Sequence, residues 1–245
     1  MEIIRTQSLM IWQGSFTLGP VHLQLAPGEI LGIMGPKGAG KTTLLKLLWG
    51  FARPGSGTAA VFGIPPHLRQ IDVRLRAGYL SDAPRFYRWM TARDFLKFIS
   101  HFYPNWDESH VDSLLTDFDI DADRIVDGLS KSDKMKLALI SALGHRPLLL
   151  LLDEPASGQD PVVCREILSF LKQLSRDENI GIVISSAVSD DLDRTVDTIL
   201  MLNRGRVVHY APSAELKKQY GLSSLEDIFV ESVEKVSEAS RRHNA

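Results

Sequence analysis

The chain has 245 residues, of which 44% are hydrophobic and 24% are charged, and its formal net charge is -2. These proportions are typical of a globular protein with a core large enough for one domain. Because no long basic run is present, nucleic acid is not an expected partner. The single cysteine, Cys164, excludes an intrachain disulfide. The longest apolar run, Leu148 to Leu152, is far shorter than the ~18 residues of a transmembrane helix, so any membrane span must belong to another chain.

The first predicted elements are short strands, followed by a strand, a loop and a helix. Residues Glu2 to Ala26 mix apolar and polar positions in short stretches, which predicts short antiparallel strands. Ile30 to Met34 is a compact apolar strand, and a glycine-rich loop follows it. Leucines recur from Thr42 to Phe51 in a way that predicts a well-buried helix, which Pro54 and the glycines beside it end.

The middle of the chain is predicted to be helical. From about Thr91 to Gly144, apolar residues recur at helical spacing with polar residues between them. The residues that carry this pattern are Phe95, Ile99, Phe102, Val111, Leu114, Leu115 and Phe118. We therefore expect a helical sub-domain at about residues 85–144.

Strands and helices alternate in the rest of the chain. The predicted elements are a buried strand at Leu148–Leu152, a helix at Val162–Arg176, strands at Ile180–Ser185 and Ile199–Leu202, and short helices after Ala211. This alternation predicts an α/β fold with a mostly parallel sheet. We interpret residues 1–245 as one domain, with a catalytic core at about 1–84 and 145–210 and a helical tail at about 211–245.

A phosphate-binding loop is predicted between the strand at Ile30–Met34 and the next helix. The residues that fit its pattern are Gly35, Pro36, Lys37, Gly38, Ala39, Gly40, Lys41 and Thr42. Glycines let successive backbone N–H groups turn toward phosphate oxygens, and the helix N-terminus adds partial positive charge. We expect Lys41 to reach the β- and γ-phosphates of ATP, Thr42 to ligate Mg2+ and Thr43 to lie near the α-phosphate. The alternative is a tight turn without a ligand.

Two acidic residues follow the buried strand at Leu148–Leu152. In an open α/β sheet, ligands bind beyond the carboxyl ends of the strands, where Asp153 and Glu154 lie. We interpret Asp153 as a Mg2+ partner and Glu154 as the general base that activates or orients the attacking water. The alternative is that the two acids only cap a turn, but their pairing with an upstream phosphate-binding loop favours the functional interpretation.

The order of these motifs resembles that of the ABC ATPases over nearly the whole chain. A phosphate-binding loop comes first, then a helical insert, then Leu129-Ser130, and then a strand that ends in Asp153-Glu154. The resemblance implies a P-loop NTPase core, an N-terminal antiparallel β sub-domain and an inserted helical sub-domain. The stretch from Phe102 to Asp107 is similar to bacterial ABC-2-type exporters of the multidrug and bacteriocin-immunity kind.

The resemblance also implies roles for single residues. Trp12 lies where the family has an aromatic ring that stacks on adenine. Asp82 lies where it has a glutamine or glutamate that senses the γ-phosphate, and we include Asp82 among the Mg2+ ligands. Ser130 belongs to the family signature, which binds the nucleotide held by a partner subunit. Residues 157–160 resemble the loop that links the two sites of a dimer, and Ala187 aligns with a switch position that is usually histidine.

In this family, two ATP-binding domains close head to tail around two ATP molecules, and closure moves the membrane subunits. The resemblance therefore implies an ATP- and Mg2+-dependent ATPase that powers a transporter, most simply an exporter. Its expected partners are a polytopic membrane permease and a second ABC ATPase, as a homodimer or a heterodimer. Its expected location is cytoplasmic, at the inner face of the cell membrane.

Departures from the family pattern leave alternatives open. Ala187 cannot hydrogen-bond the γ-phosphate, so turnover is expected to be slow unless a neighbour such as Ser186 supplies the donor. Ser132 and Asp133 replace a glycine and a neutral residue, and serine would be strained if that site needs a positive φ. This sequence predicts a weakened signature, a helix-capping box that starts at Ser130, or both.

Two further features are ambiguous at the level of sequence. Asp82 keeps an oxygen ligand but is shorter than glutamine, and it is equally compatible with a turn acid before Pro84. The aromatic and arginine cluster at Arg85–Trp89 suits either a permease interface or packing on the helical sub-domain. The leading hypothesis is a slow transport ATPase. The alternatives are a hydrolysis-impaired regulatory partner of another ABC ATPase, and an ABC-type ATPase that acts on ribosomes, DNA or cofactor assembly.

Overall fold

A computed structural model describes residues 2–187 and 192–243. Within these residues the strands are β1 Ile4–Gln13, β2 Phe16–Leu25, β3 Ile30–Met34, β4 Ser56–Val61, β5 Ala77–Leu80, β6 Leu149–Asp153, β7 Gly181–Ser186, β8 Thr198–Asn203 and β9 Arg206–Pro212. The helices are α1 Lys41–Leu48, α2 Gln70–Arg74, α3 Ala92–Ser100, α4 Glu108–Asp117, α5 Lys131–Leu143, α6 Pro161–Glu178, α7 Ser213–Tyr220 and α8 Leu225–His243, with a short 3-10 helix at Val126–Gly128.

The core is a six-stranded sheet in the order β5-β6-β7-β3-β8-β9. The first five strands in this order run parallel, and β9 closes one edge in the antiparallel direction. β9 reverses direction because only Arg204 and Gly205 separate it from β8, and both have positive φ, as two-residue hairpin turns require. The predicted α/β fold with a mostly parallel sheet is confirmed, and β9 is an addition that the sequence pattern did not indicate.

Alternate residues along the central strands enter two separate cores. Leu150 and Leu152 of β6 pack with α3, α4, α5 and α6 on one face of the sheet. Leu149 and Leu151 pack with α1 and the antiparallel strands on the other face. A strand covered on both faces needs apolar side chains at successive positions, which explains the leucine run. Leu148, which the sequence placed in this strand, precedes it and is 47% exposed.

A three-stranded antiparallel sheet, in the order β2-β1-β4, shares the second core with α1. β1 and β2 form a hairpin in which Gln13 lies opposite Phe16, and each strand has ten residues. β4 follows α1 in sequence and pairs with the other side of β1. The N-terminal antiparallel sub-domain is therefore confirmed, with longer strands than the sequence suggested and a third strand from further along the chain.

The chain between β5 and β6 contains the predicted helices. Thr91, Asp107 and Ser130 cap α3, α4 and α5, because each side chain accepts a hydrogen bond from a backbone N–H of the first turn. Phe95 and the four pattern residues in or beside α4 are buried. Phe102 lies beyond the end of α3 and is 61% exposed, so it does not contribute to this core. The sub-domain boundaries at about residues 85 and 144 stay a prediction.

α1 is shorter than the helix predicted at Thr42–Phe51. It spans Lys41–Leu48, and the chain turns at Gly50, where φ is 80°. A Cβ at this position would lie 2.3 Å from the carbonyl oxygen of Pro66. Both the backbone conformation and the available space therefore require glycine, and they end the helix before Phe51.

Two helices, α7 and α8, follow β9, and the boundaries of a helical tail at about 211–245 stay a prediction. Leu216 of α7 and Leu225 and Ile228 of α8 are buried in the core that also contains α6. In the described parts of the chain, no helix has both the length and the apolar composition that crossing a bilayer requires.

Candidate nucleotide-binding and catalytic site

Neighbouring strands end at one edge of the core sheet and bring the predicted motifs together. Met34, the last residue of β3, pairs with Ser186 of β7, and Asp153, the last residue of β6, pairs with Ser185. β7 therefore lies between the strand that leads into the phosphate-binding loop and the strand that carries the acidic pair. The carboxyl ends of such strands are the place where open α/β sheets bind ligands.

The phosphate-binding loop joins β3 to α1. Gly40 precedes α1 with φ of 109°, and its lack of a side chain leaves the helix N-terminus without a side-chain cap. The first turn of α1 carries no acidic residue. Its backbone N–H groups and the positive end of its dipole are thus available to an anion in the cleft that this turn lines.

Lys41 is the first residue of α1, and its side chain is 5% exposed. Its Nζ donates to the carbonyl oxygens of Gly35 at 2.7 Å and Pro36 at 3.3 Å. The same Nζ lies 3.2 Å from Oε1 of Glu154. A buried ammonium group is stable only when it is paired, and these oxygens supply the partners. The predicted phosphate-binding lysine and the predicted general base are therefore in direct contact.

Asp153 is completely buried at the end of β6. Its Oδ1 accepts a 2.6 Å hydrogen bond from Oγ of Ser185, whereas Oδ2 is buried without a hydrogen bond of normal geometry. Burial raises the pKa of Asp153, and the negative charges of Asp82 and Glu154 add to the rise, while the hydroxyl groups of Ser185 and Thr42 oppose it. A buried carboxylate beside the hydroxyl group of Thr42 fits an oxygen-ligated cation.

Ser185 connects the two acidic residues. Its Oγ donates to Asp153 and accepts the backbone N–H of Glu154 at 3.0 Å. Glu154 leaves the strand with φ of 50°, which is uncommon for a residue with a side chain and turns the acid toward Lys41. The sequence indicated Ser185 only as the end of a predicted strand. Its role depends on the pairing of β6 with β7, for which the local sequence carries no signal.

A cleft of about 670 Å³ lies at these strand ends. Its lining residues are Gln13, Phe16, Lys37, Gly38, Ala39, Gly40, Lys41, Thr42, Thr43, Asp82, Glu154, Ser157 and Ala187. The structure thus brings the predicted loop together with Asp82 and Glu154. Ala187, the last described residue before the gap at 188–191, is exposed and lines this cleft, and its alignment with the switch position stays a prediction.

Trp12 and Phe16 lie near each other in the β1–β2 hairpin, but only Phe16 lines the cleft. Trp12 is 53% exposed and packs on Gly55, where a Cβ would lie 2.2 Å from the indole ring. Its contact with adenine stays a prediction. Sequence reasoning missed Phe16, whose position follows from the hairpin register that sets it opposite Gln13.

The predicted signature residues begin α5. Oγ of Ser130 accepts the backbone N–H of Asp133 at 3.0 Å, and Oδ2 of Asp133 accepts the backbone N–H of Ser130 at 3.3 Å. This is the capping box that the sequence predicted as one alternative. Ser132 is the second residue of the helix, so the strain of a positive φ does not arise. Ser130 is exposed and lies outside the cleft, and its role toward a partner's nucleotide stays a prediction.

Comparisons with known proteins agree with this geometry. The family model described as "ABC transporter" matches residues 18–157. The bacitracin transport ATP-binding protein BcrA of Bacillus licheniformis is 30% identical over 220 residues, which cover 89% of this chain and 72% of that protein. The ABC transporter ATP-binding protein NatA of Bacillus subtilis (strain 168) is 30% identical over 216 residues, covering 86% of this chain and 87% of that protein.

Solved structures support the fold. One described as the ATP binding subunit of an ABC transporter superposes with a TM-score of 0.85 at 24% identity, covering 94% of this chain and 99% of that one. Another, cbiO1 from Clostridium perfringens, described as part of the ABC transporter complex cbiONQ, has a TM-score of 0.78 at 23% identity, covering 89% and 92%. The chain therefore belongs to the ABC transporter family, as one of its ATP-binding domains, which are ATPases coupled to transport.

Proposed function

We propose that this chain hydrolyses ATP with Lys41 and Glu154 to power a membrane exporter through ATP-driven closure of a dimer. The observation that carries the proposal is the 3.2 Å contact between Lys41 and Glu154 beside the buried Asp153, at the uncapped start of α1. A phosphate-binding lysine, a metal-binding acid and a base at one sheet edge are the parts that nucleotide hydrolysis needs.

Phosphate binding uses the loop and the start of α1. Backbone N–H groups of the loop and of the first turn of α1, except at Pro36, which has none, bind the phosphate oxygens, and Lys41 pairs with the β- and γ-phosphates. The hydroxyl of Thr43 contributes near the α-phosphate. Trp12 stacks on the adenine ring, and Phe16 borders the same region of the cleft.

Mg2+ would be held by Thr42, Asp153 and Asp82. Mg2+ keeps several waters and usually takes only one or two carboxylates together with phosphate oxygens. The described residues contain no cluster of three or more acidic, histidine or cysteine side chains that could hold a metal, and such a cluster is not required here. Oδ2 of Asp153, which is buried without a hydrogen bond of normal geometry, supports the assignment. When bound, the ion neutralises charge on the β- and γ-phosphates.

Glu154 acts as the general base. In the structure its carboxylate is paired with Lys41, for which phosphate oxygens compete. ATP binding therefore draws the ammonium group of Lys41 away and leaves Glu154 free to accept a proton from the attacking water. Ser185 keeps the backbone of Glu154 in place during this exchange through its hydroxyl group.

Turnover is slow because Ala187 contributes no hydrogen bond to the γ-phosphate. The loss of one transition-state contact of this type costs about 2.7–4 kcal/mol, which slows the reaction roughly 10²–10³-fold. The exposed methyl group at the cleft favours a second candidate function, in which this chain is the hydrolysis-impaired regulatory partner of another ABC ATPase.

The partner chain is a polytopic permease, which places the protein at the cytoplasmic face of the membrane. An exposed aromatic patch supports this surface: Tyr87 lies 5.2 Å from both Trp89 and Phe98, and Phe98 lies 5.4 Å from Phe102, between ring centroids. Trp89 is 72% exposed. Aromatic residues of this kind are enriched at protein interfaces, and the patch follows Asp82 along the chain.

The second ATPase, a copy of this chain or a different one, meets the exposed N-terminus of α5. Ser130 then binds the nucleotide held by the partner subunit. We treat about 1–84 and 145–210 as the catalytic core, about 85–144 as the helical sub-domain that carries Ser130, and about 211–245 as the tail.

The test is Mg2+-ATP binding and hydrolysis by wild type, Lys41→Ala and a matched control, Lys46→Ala, which alters an exposed lysine of the same helix. We expect saturable ATP binding and measurable hydrolysis by wild type and the control, and loss of both with Lys41→Ala. Equal binding by all three proteins would reject the assignment. Co-purification with a polytopic membrane protein tests the transport role separately.

A further inference from the structure

The N-terminus of α5 is tied to the loop that follows Glu154 in the same chain. We name residues 154–160 the acid loop. Nζ of Lys131 donates to the carbonyl oxygen of Gly158 at 3.0 Å and approaches that of Ser157 at 3.4 Å. One residue further along α5, Oγ of Ser132 donates to Oε1 of Gln159 at 2.9 Å. Adjacent residues of α5 thus contact three consecutive residues of the acid loop.

The acid loop is itself a chain of short turns that begins at the general base. The backbone N–H of Ser157 donates to the carbonyl oxygen of Glu154 at 3.1 Å, and that of Gln159 donates to Ala156 at 3.2 Å. Asp160 then caps α6 through a hydrogen bond from the N–H of Val162. Because hydrogen-bonded turns connect Gln159 to Glu154, a displacement of Gln159 should also displace Glu154.

The two segments also lie near each other at Gly158 and Gln159. A Cβ at Gly158 would lie 2.5 Å from Nζ of Lys131, so any side chain there would displace the lysine. Nε2 of Gln159 is buried without a hydrogen bond, which is unfavourable for an amide. Gln159 is thus held at some cost in this position, with its Oε1 directed at Ser132.

We propose that Lys131, Ser132 and Gln159 form a clasp that makes the acid loop move with α5, so that the orientation of α5 sets the position of Glu154. This proposal rests on the proposed function for its catalytic consequence. Lys131 and Ser132 lie beside Ser130 but act within their own chain. They are positioning residues, since their hydrogen bonds join them to the acid loop of their own chain.

The clasp predicts a result that a purely structural contact does not. Gln159→Met removes the buried Nε2, which lacks a hydrogen bond, together with the hydrogen bond from Ser132, so the two effects oppose each other and the melting temperature should change little. Without the contact to Ser132, however, the acid loop is less restrained and kcat should fall. A contact that served only stability would give a lower melting temperature together with an unchanged kcat.

The first experiment measures amide hydrogen exchange in the acid loop of the full chain without nucleotide. We expect exchange at Ser157 and Gln159 to accelerate about two- to tenfold in Ser132→Ala, the range for loss of one neutral hydrogen bond. Gln159→Met should give a similar change, and the double variant no more than either single one. Lys131→Met should accelerate the same amides, whereas its control Lys134→Met, whose lysine bonds Asp127 instead, should not.

The second experiment measures kcat and KM for ATP in the same variants. We expect kcat to fall about two- to tenfold with KM unchanged, and Ser132→Thr, which keeps the hydroxyl, to restore kcat. Additive effects of Ser132→Ala and Gln159→Met, or exchange in the acid loop that does not change, would overturn the clasp. The exchange data stand without hydrolysis, so an inactive wild type would reject the proposed function and leave the test of the clasp intact.

Discussion

The phosphate-binding end of the core sheet and the N-terminus of α5 hold their functional groups in different ways. At the sheet, Lys41 and Asp153 are buried; carbonyl groups of the phosphate-binding loop hold Lys41, and Ser185 of the neighbouring strand holds Asp153. At α5, Ser130 is exposed, and its hydroxyl group is already engaged in a capping box with Asp133. The residues of the first region are arranged to bind nucleotide within one chain. In the second region, Ser132 and Asp133 form hydrogen bonds within their own chain, at positions where the family is expected to have a glycine and a neutral residue.

The contrast between these two regions also separates ATP binding from ATP hydrolysis. In the resemblance to the family, the residues expected to bind phosphate match the pattern, and the expected departures fall at the signature, at Asp82 and at Ala187. A protein of this kind should bind ATP well and hydrolyse it slowly. Variants that affect one region and not the other test whether the two regions act separately.

The largest expected effect comes from Glu154→Gln. General-base catalysis contributes about 10²–10⁴-fold, so single-turnover hydrolysis should fall by that factor. ATP affinity should rise at the same time, because the neutral amide no longer pairs with Lys41. Rapid-quench hydrolysis and equilibrium binding measure the two effects, with Glu215→Gln on α7 as the control. An unchanged rate of hydrolysis would show that Glu154 is not the general base.

A smaller effect is expected from the adenine contacts. Aromatic stacking contributes about 0.5–1.5 kcal/mol, so Trp12→Ala should weaken ATP binding by roughly two- to tenfold. Phe16→Ala serves as the matched comparison, since Phe16 lines the cleft and Trp12 does not. A titration with a fluorescent ATP analogue measures both. If only Phe16→Ala weakens binding, the adenine contact belongs to Phe16.

The smallest effect concerns stability and its dependence on pH. Burial raises the pKa of Asp153 in the folded protein, so the protonated form stabilises the fold at low pH, and this contribution is lost as pH rises through the raised pKa. Asp153→Asn stays neutral throughout. Its melting temperature without nucleotide should therefore exceed that of wild type at pH 7 by roughly 2–4 °C. For this chain length, that shift corresponds to about 1 kcal/mol in the free energy of unfolding.

The pH profile is the control for this prediction. The difference in melting temperature between Asp153→Asn and wild type should shrink as pH falls toward 4, and Mg2+-ATP should stabilise wild type but not the variant. A variant that is less stable than wild type at every pH would show that the carboxylate of Asp153 stabilises the fold by itself.

Local motifs account for what the sequence predicted. The phosphate-binding loop, the acids after a leucine-rich strand and the capping box each occupy a few consecutive residues, so their chemistry can be read without a fold. Ser185, Phe16 and Gln159 could not be assigned in this way. Each acts through a neighbour 3 to 32 positions away, across a hairpin, a strand pair or a helix–loop contact.

Boundaries were the other weakness of sequence reasoning. The helix expected to run to Phe51 ends at Leu48 because of the close approach of Pro66 to Gly50, which is a tertiary contact. Phe102 continued a helical pattern although α3 ends before it, and its exposure places it in the aromatic patch instead. Periodicity alone does not distinguish a core residue from an interface residue of this kind.

The claim that nucleotide binding is intact while turnover is impaired is tested most directly by Ala187→His. Single-turnover hydrolysis and ATP affinity are measured on the same preparations of wild type and variant. Restoring one hydrogen bond to the γ-phosphate in the transition state should raise the rate about 10²–10³-fold and leave the affinity nearly unchanged. A rate that stays at the wild-type value, with ATP bound, would contradict the account.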